Sequence, residues 1–223
     1  MNVIRHIFVL QAVLLVAFFA GVARADDRDT AAHSKHPPYS QQALQSKLEY
    51  CQTCHGPSGE GSRGATSIPR LAGQQPMYLE NQLRNFVIHR RRNNVMSVAV
   101  QAMGSAEMTA LAAYFSDLNP QPVEGAPRDL VPAGKKIYEE GVPEADVPAC
   151  LSCHGPEAKG SGAVPRLAGQ LNDYVVRKLA NWEKDRGQDP AVAGKTAATM
   201  KSVAHNLIDT QIAAVAAYLN YLE

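Results

Sequence analysis

Cys51-Gln-Thr-Cys54-His55-Gly56-Pro57 stands 99 positions ahead of Cys150-Leu-Ser-Cys153-His154-Gly155-Pro156, and these two stretches use all four cysteines of the 223-residue chain. The likeness extends outward from them. Pro69-Arg70-Leu71-Ala72-Gly73-Gln74 returns as Pro165-Arg166-Leu167-Ala168-Gly169-Gln170 at an offset of 96, with Tyr78 answered by Tyr174. Leu111-Ala-Ala-Tyr114-Phe115 returns as Val215-Ala-Ala-Tyr218-Leu219 at an offset of 104. Self-similarity on this scale means one structural unit written twice. The widening offset gives the second copy about eight extra residues between 186 and 200.

The repeat predicts a first domain over 40–119 and a second over 132–223. The stretch between them, 120–131, holds Pro120, Pro122 and Pro127, with Pro132 just beyond. Proline removes backbone donors and is excluded from helix interiors, so this segment reads as an extended, semi-stiff linker. Inside each copy the apolar period is helical. Met108, Leu111, Ala112, Phe115 and Leu118 form one stripe, and Ile212, Val215, Ala216, Leu219 and Leu222 form its counterpart. Ser105 and Asp209 are placed to cap these helices. Ala43, Leu44, Lys47, Leu48 and Cys51 predict another helix, one that delivers the first cysteine. No segment alternates with period two. The fold class is all-α, two tandem domains of about 90 residues, and cores this small need a staple or a large buried group.

The first 25 residues differ from the rest. Arg5 and His6 precede the apolar run Ile7–Ala20, and the small residues Ala23 and Ala25 fit a signal-peptidase site. The run is shorter than the roughly 20 residues that span a bilayer, which favours a leader cleaved after Ala25 over a retained anchor. Residues 26–39 are polar, contain Pro37-Pro38, and read as a loosely ordered lead-in. Removing Arg5 and Arg24 from the 22 basic side chains leaves 20 against 21 acidic ones, a formal charge of −1. That balance lacks the basic footprint of a nucleic-acid binder. Export places the cysteines in an oxidising compartment, where disulfides are the ordinary outcome.

Cys-x-x-Cys alone serves redox disulfides, zinc sites and haem attachment. The histidine directly after the second cysteine, in both copies, separates these. Two thiols that add to the vinyl groups on one edge of a haem hold the next residue beneath the iron, where imidazole is an axial donor. A zinc ribbon pairs its knuckles about 15 to 20 residues apart, whereas Cys54 and Cys150 are far more distant. A thioredoxin-like site requires a βαβ context that the helical period does not offer. Two structural disulfides account for the cysteines and leave both histidines unexplained. Two covalently bound haem c groups are therefore expected, at Cys51, Cys54 and His55 and at Cys150, Cys153 and His154.

A duplicated domain should draw its sixth ligand from equivalent positions. Met77 aligns with Asp173, Met103 with Leu207 and Met108 with Ile212, while Met96 finds Met200 at the offset of 104. His89 faces Asp185 and His205 faces Gln101. Methionine is more often core filler than ligand, but this pairing selects Met96 and Met200. Pro69 and Pro165 are placed to offer a carbonyl to the Nδ1–H of each axial histidine. Arg70, Gln74 and Tyr78, with Arg166, Gln170 and Tyr174, either bind haem propionates or shape a shared loop. The run His89-Arg90-Arg91-Arg92, matched in the second copy only by Arg186, reads as a solvated charged face rather than a docking patch.

Taken together, tandem Cys-x-x-Cys-His domains, each followed by Pro-Arg-Leu-Ala-Gly-Gln, a later methionine and an Ala-Ala-Tyr-Phe/Leu helix, resemble the dihaem cytochrome c4 family over about 40–223. The resemblance implies a periplasmic electron carrier of two class I cytochrome c domains related by a pseudo-twofold axis, with haem edges near their interface. It further implies His55 with Met96 and His154 with Met200 as iron ligands, loose membrane association, and redox-protein partners that include a membrane-bound terminal oxidase. With both axial positions filled by protein, outer-sphere transfer of one electron per haem is the chemistry left, and methionine sulfur raises the potential relative to a second histidine. A permanent haem subunit of an oxidoreductase, such as a sulfide-oxidising flavocytochrome, is the alternative, followed by a peroxidase-type dihaem enzyme.

Overall fold

The computed structural model describes residues 39–186 and 195–223. The leader expected over 1–25, nearly all of the lead-in and most of the extra residues of the second copy lie outside the described residues. Among the described residues the chain is helical, and extended pairing is confined to the isolated bridges Ser62–Ile68, Val142–Val147 and Ser161–Val164. The first copy runs α1 (Gln41–His55), α2 (Pro76–Val87), α3 (Asn94–Val100) and α4 (Ser105–Asp117). The second runs α5 (Val131–Glu140), α6 (Leu151–His154), α7 (Asn172–Ala180), α8 (Trp182–Arg186), α9 (Lys195–Asn206) and α10 (Asp209–Asn220).

Local signals set the helix starts. The Ser40 hydroxyl accepts from Ala43 N–H at 3.0 Å and opens α1. Pro76 begins α2, where a missing N–H costs nothing. The cap positions of α4 and α10 fall one residue before Ser105 and Asp209, at Gly104 and Ile208. In both, the residue three further on reaches back: Glu107 accepts from Gly104 N–H at 2.9 Å, and Gln211 from Ile208 N–H at 3.1 Å. This return bond, half of a capping box, supplants the expected hydroxyl and carboxylate caps.

The predicted stripes form the cores. In the first copy α4 packs on α1 and α2 and buries Leu48, Leu79, Leu111, Ala112 and Phe115 together. In the second α10 packs on α5 and α7 around Tyr138, Val175, Val215, Ala216 and Leu219. Burial of each large member stabilises the fold by about 2 kcal/mol. Cys51 and Cys150 lie against these two clusters. The α5–α10 crossing is close: a Cβ on Gly134 would sit 1.9 Å from the Ala214 carbonyl oxygen.

The copies differ before their cysteines. α1 carries Cys51, Cys54 and His55 on one continuous helix. In the second copy Gly141, at φ +76°, ends α5, Pro143 opens a short 3-10 turn, and helix resumes at α6. The shift in offset from 99 to 96 has a structural origin as well. The bridge after the first histidine joins Ser62 to Ile68, and its counterpart joins Ser161 to Val164, three residues shorter.

The proline-rich connector is pinned rather than loose. Asn220, fully buried, accepts from Ala126 N–H at 3.2 Å and donates to Val123 O at 3.1 Å, while the Tyr221 hydroxyl donates to Ala126 O at 2.6 Å. Among the described residues no helix is long and apolar enough to cross a membrane.

Candidate functional sites

Each Cys-x-x-Cys-His motif ends its helix on a glycine with positive φ, Gly56 at +87° and Gly155 at +80°. The chain then folds back beneath the motif. Gly61 N–H donates to His55 O at 2.8 Å, and Gly160 N–H donates to His154 O at 2.9 Å. Both glycines need their positive φ, and a Cβ on either would strike backbone atoms of the returning strand within 2.7 Å. The return brings the Pro69 carbonyl oxygen to 2.9 Å from His55 Nδ1, and the Pro165 oxygen to 2.9 Å from His154 Nδ1. The carbonyls expected at Pro69 and Pro165 are therefore in place.

A carbonyl can only accept, so Nδ1 carries the proton and the Nε2 lone pair is left for another partner. Burial pushes both histidines below the ordinary imidazole range, partly offset by these hydrogen bonds, so the rings are neutral near pH 7. Burial likewise pushes Cys51 up and Cys150 up to about 11. Cys54 and Cys153 are exposed, and no cysteine is joined to another. Among the described residues no cluster of three or more His, Cys, Asp or Glu side chains could hold a metal ion, so a zinc-type donor set is not assembled. One half-buried and one exposed thiol, three positions apart, with a neutral imidazole next in line, fit thioether-linked haem at both motifs.

The methionines lie on separate helices. Met96 sits half-buried in the first turn of α3, its N–H donating to the Asn93 side chain at 3.0 Å. An open groove lined by Lys47 and Tyr50 of α1 and by Val98 and Ala99 of α3 sets Met96's helix opposite the one that carries Cys51. Met200 is half-buried in α9, which packs on α7 and α8.

The seam between the copies holds what the sequence did not reveal. Gln74 grips the Arg166 backbone, accepting from its N–H at 2.7 Å and donating to its carbonyl at 2.9 Å. Gln170 grips the Arg70 backbone in the same way, at 2.9 and 3.0 Å. The two glutamines thus serve the domain seam. Arg91, read from sequence as part of a solvated face, is buried. It donates to Gln82 Oε1 at 3.0 Å and to the Tyr174 hydroxyl at 2.7 Å, while Arg186 donates to the same Gln82 oxygen at 2.8 Å. For the glutamines the signal was their recurrence in each copy; Arg91 offered none, because Arg186 falls opposite Arg90 at the offset of 96.

Positive charge is in excess here. Asp185, bonded to Lys178, is a carboxylate facing Arg91 and Lys178. Burial, then the charge of Arg91, pulls Arg186 and Lys178 below their ordinary values. Arg70 is lowered to about 10 by burial and by Arg166. The buried Arg91 Nε has no hydrogen-bond partner. Buried cations with an unsatisfied donor fit the carboxylates of a haem.

A model of the cytochrome c family matches residues 40–119 and 131–223. Cytochrome c4 of Thiocapsa roseopersicina is 37% identical over 177 residues, spanning 77% of this chain and 86% of its own. The thiosulfate dehydrogenase electron acceptor of Thiomonas intermedia (strain K12) is 36% identical over 185 residues, with 82% of each chain covered. Reduced recombinant cytochrome c4 from Pseudomonas stutzeri superposes with a TM-score of 0.71 at 27% identity, over 82% of this chain and 99% of that one.

Proposed function

The chain belongs to the cytochrome c family, within its dihaem cytochrome c4 group, and on that premise we propose that it shuttles electrons in the periplasm between a dehydrogenase-side donor and a terminal oxidase. It is an electron-transfer protein of two tandem cytochrome c domains with two covalently attached haem c groups. Haem c supplies a one-electron couple when bound.

In this proposal Cys51 and Cys54 anchor one haem and Cys150 and Cys153 the other. His55 with Met96 would hold one iron and His154 with Met200 the other, and so held each would supply outer-sphere transfer of one electron. Arg91, Arg186, Arg70 and Arg166 hold the propionates and exclude water from the seam. The single observation that carries the reading is the twofold occurrence of a neutral, buried imidazole at the end of Cys-x-x-Cys, its Nδ1–H committed to a proline carbonyl. Partners dock through small, wet, short-lived contacts, as redox encounters do.

Mixing the reduced protein with membranes of its source tests the role: rapid, cyanide-sensitive oxidation supports it, and the absence of oxidation contradicts it. A second reading, acceptor to a thiosulfate-oxidising enzyme, is favoured by the Thiomonas intermedia relative bearing that name. Thiosulfate-dependent reduction by a source extract, with the protein purifying alone or in a fixed complex, separates shuttle from subunit.

A further inference from the structure

Resting on the assignment of His55 and His154 as iron ligands, we infer that each histidine is tuned by a glutamine of the opposite domain, acting through one shared peptide group. The Pro69 carbonyl that accepts from His55 Nδ1–H at 2.9 Å belongs to the same amide as the Arg70 N–H, which donates to Gln170 Oε1 at 2.9 Å. The mirror relation holds. The Pro165 carbonyl accepts from His154 at 2.9 Å, and its amide partner, Arg166 N–H, donates to Gln74 Oε1 at 2.7 Å.

An amide is conjugated, so a bond made at its N–H moves electron density onto its oxygen. Such chains strengthen one another by roughly 10–30% per bond in a low-dielectric interior. Gln74 and Gln170 are 7% and 8% exposed; Arg70, gripped by Gln170, is 3% exposed, and Arg166, gripped by Gln74, is half-buried. A stronger acceptor at Pro69 draws the Nδ1–H further, raises the basicity of Nε2, favours ferric over ferrous iron and lowers the potential. Each glutamine also donates back to the carbonyl of the residue it grips, which belongs to the next amide, and so holds that residue from both sides. Asn220 in turn holds the Gln170 carbonyl at 3.0 Å. Gln74 and Gln170 are positioning residues, and their effect crosses the seam.

The test uses the haem-loaded full chain. Gln170→Met keeps volume and removes both bonds to the Arg70 backbone, together with the one from Leu171 N–H. The domain 1 potential rises, with the ferric-to-ferrous ratio at a fixed potential falling about threefold, the scale of losing one bond's share of cooperativity. The domain 2 potential moves several-fold less. In the reduced, diamagnetic protein the His55 Nδ1–H resonance moves upfield while that of His154 stays. Gln74→Met gives the reverse pattern. Gln170→Glu, which keeps an acceptor oxygen on the Arg70 N–H, moves the His55 resonance the other way. Equal shifts of both haems, shifts in the variant's own domain, or none at all would overturn the inference. A wild-type His55 Nδ1–H that lacks the ring-current shift of an axial ligand counts against the ligand assignment itself, independently of the glutamine variants.

Discussion

Arg91 of the first domain and Tyr174 of the second are joined by a 2.7 Å hydrogen bond from guanidinium to phenol oxygen, in a buried seam where Arg91 also serves Gln82. The contact ties a basic run in one copy to a helix of the other. It accounts for the burial of a side chain that its neighbours Arg90 and Arg92, both exposed, made look solvated.

Replacing Arg91 by Met keeps the packing over Phe86 and removes the donors. Tyr174 and Gln82 lose a charged partner, and the haem-loaded protein loses about 2 kcal/mol, read as a fall in Tm by circular dichroism. An unchanged or higher Tm would mean that Arg91 is a buried burden rather than a tie.

Gly134 has no room for a methyl group. Gly134→Ala forces α5 away from the Ala214 carbonyl and destabilises the second domain by about 2 kcal/mol. Chemical denaturation followed by a haem band of each domain should show the second transition moving and the first holding.

Asn220→Ala strips partners from Ala126 N–H, Val123 O and Gln170 O at once. With these groups still buried, the loss is about 3 kcal/mol. Limited proteolysis should then cut within 120–131, which resists in the parent chain.

Substituting Met96 or Met200 singly should remove about half of the sulfur-to-iron charge-transfer band of the oxidised protein, one axial methionine in each domain. Loss of the whole band from one change, or of none from either, would reassign the sixth ligands.

Much of the architecture was legible because it is local or repeated. The stripes at Met108–Leu118 and Ile212–Leu222 follow helical period, the cysteines and histidines sit at fixed short spacings, and the prolines follow the histidines by 14 and 11 positions. The break at Gly141 was hidden, because a glycine and a proline two residues apart interrupt a helix that the other copy keeps whole. The caps at Gly104 and Ile208 were hidden by more obvious capping residues next door. The seam escaped for a different reason. Gln74 with Arg166 and Gln170 with Arg70 meet across 92 and 100 positions, and no local pattern encodes a contact between two folded units. Their recurrence in both copies marked them as shared without saying for what.

The most direct measurement is the haem content of the mature chain, made in a host that matures c-type cytochromes. Denatured protein, extracted with acidified solvent and weighed by mass spectrometry, should retain two haem masses on one polypeptide, with thioether adducts at Cys51/Cys54 and Cys150/Cys153. A folded, exported product that gives up all its pigment to the solvent, or whose four cysteines are recovered as cystine or zinc thiolate, would contradict the account.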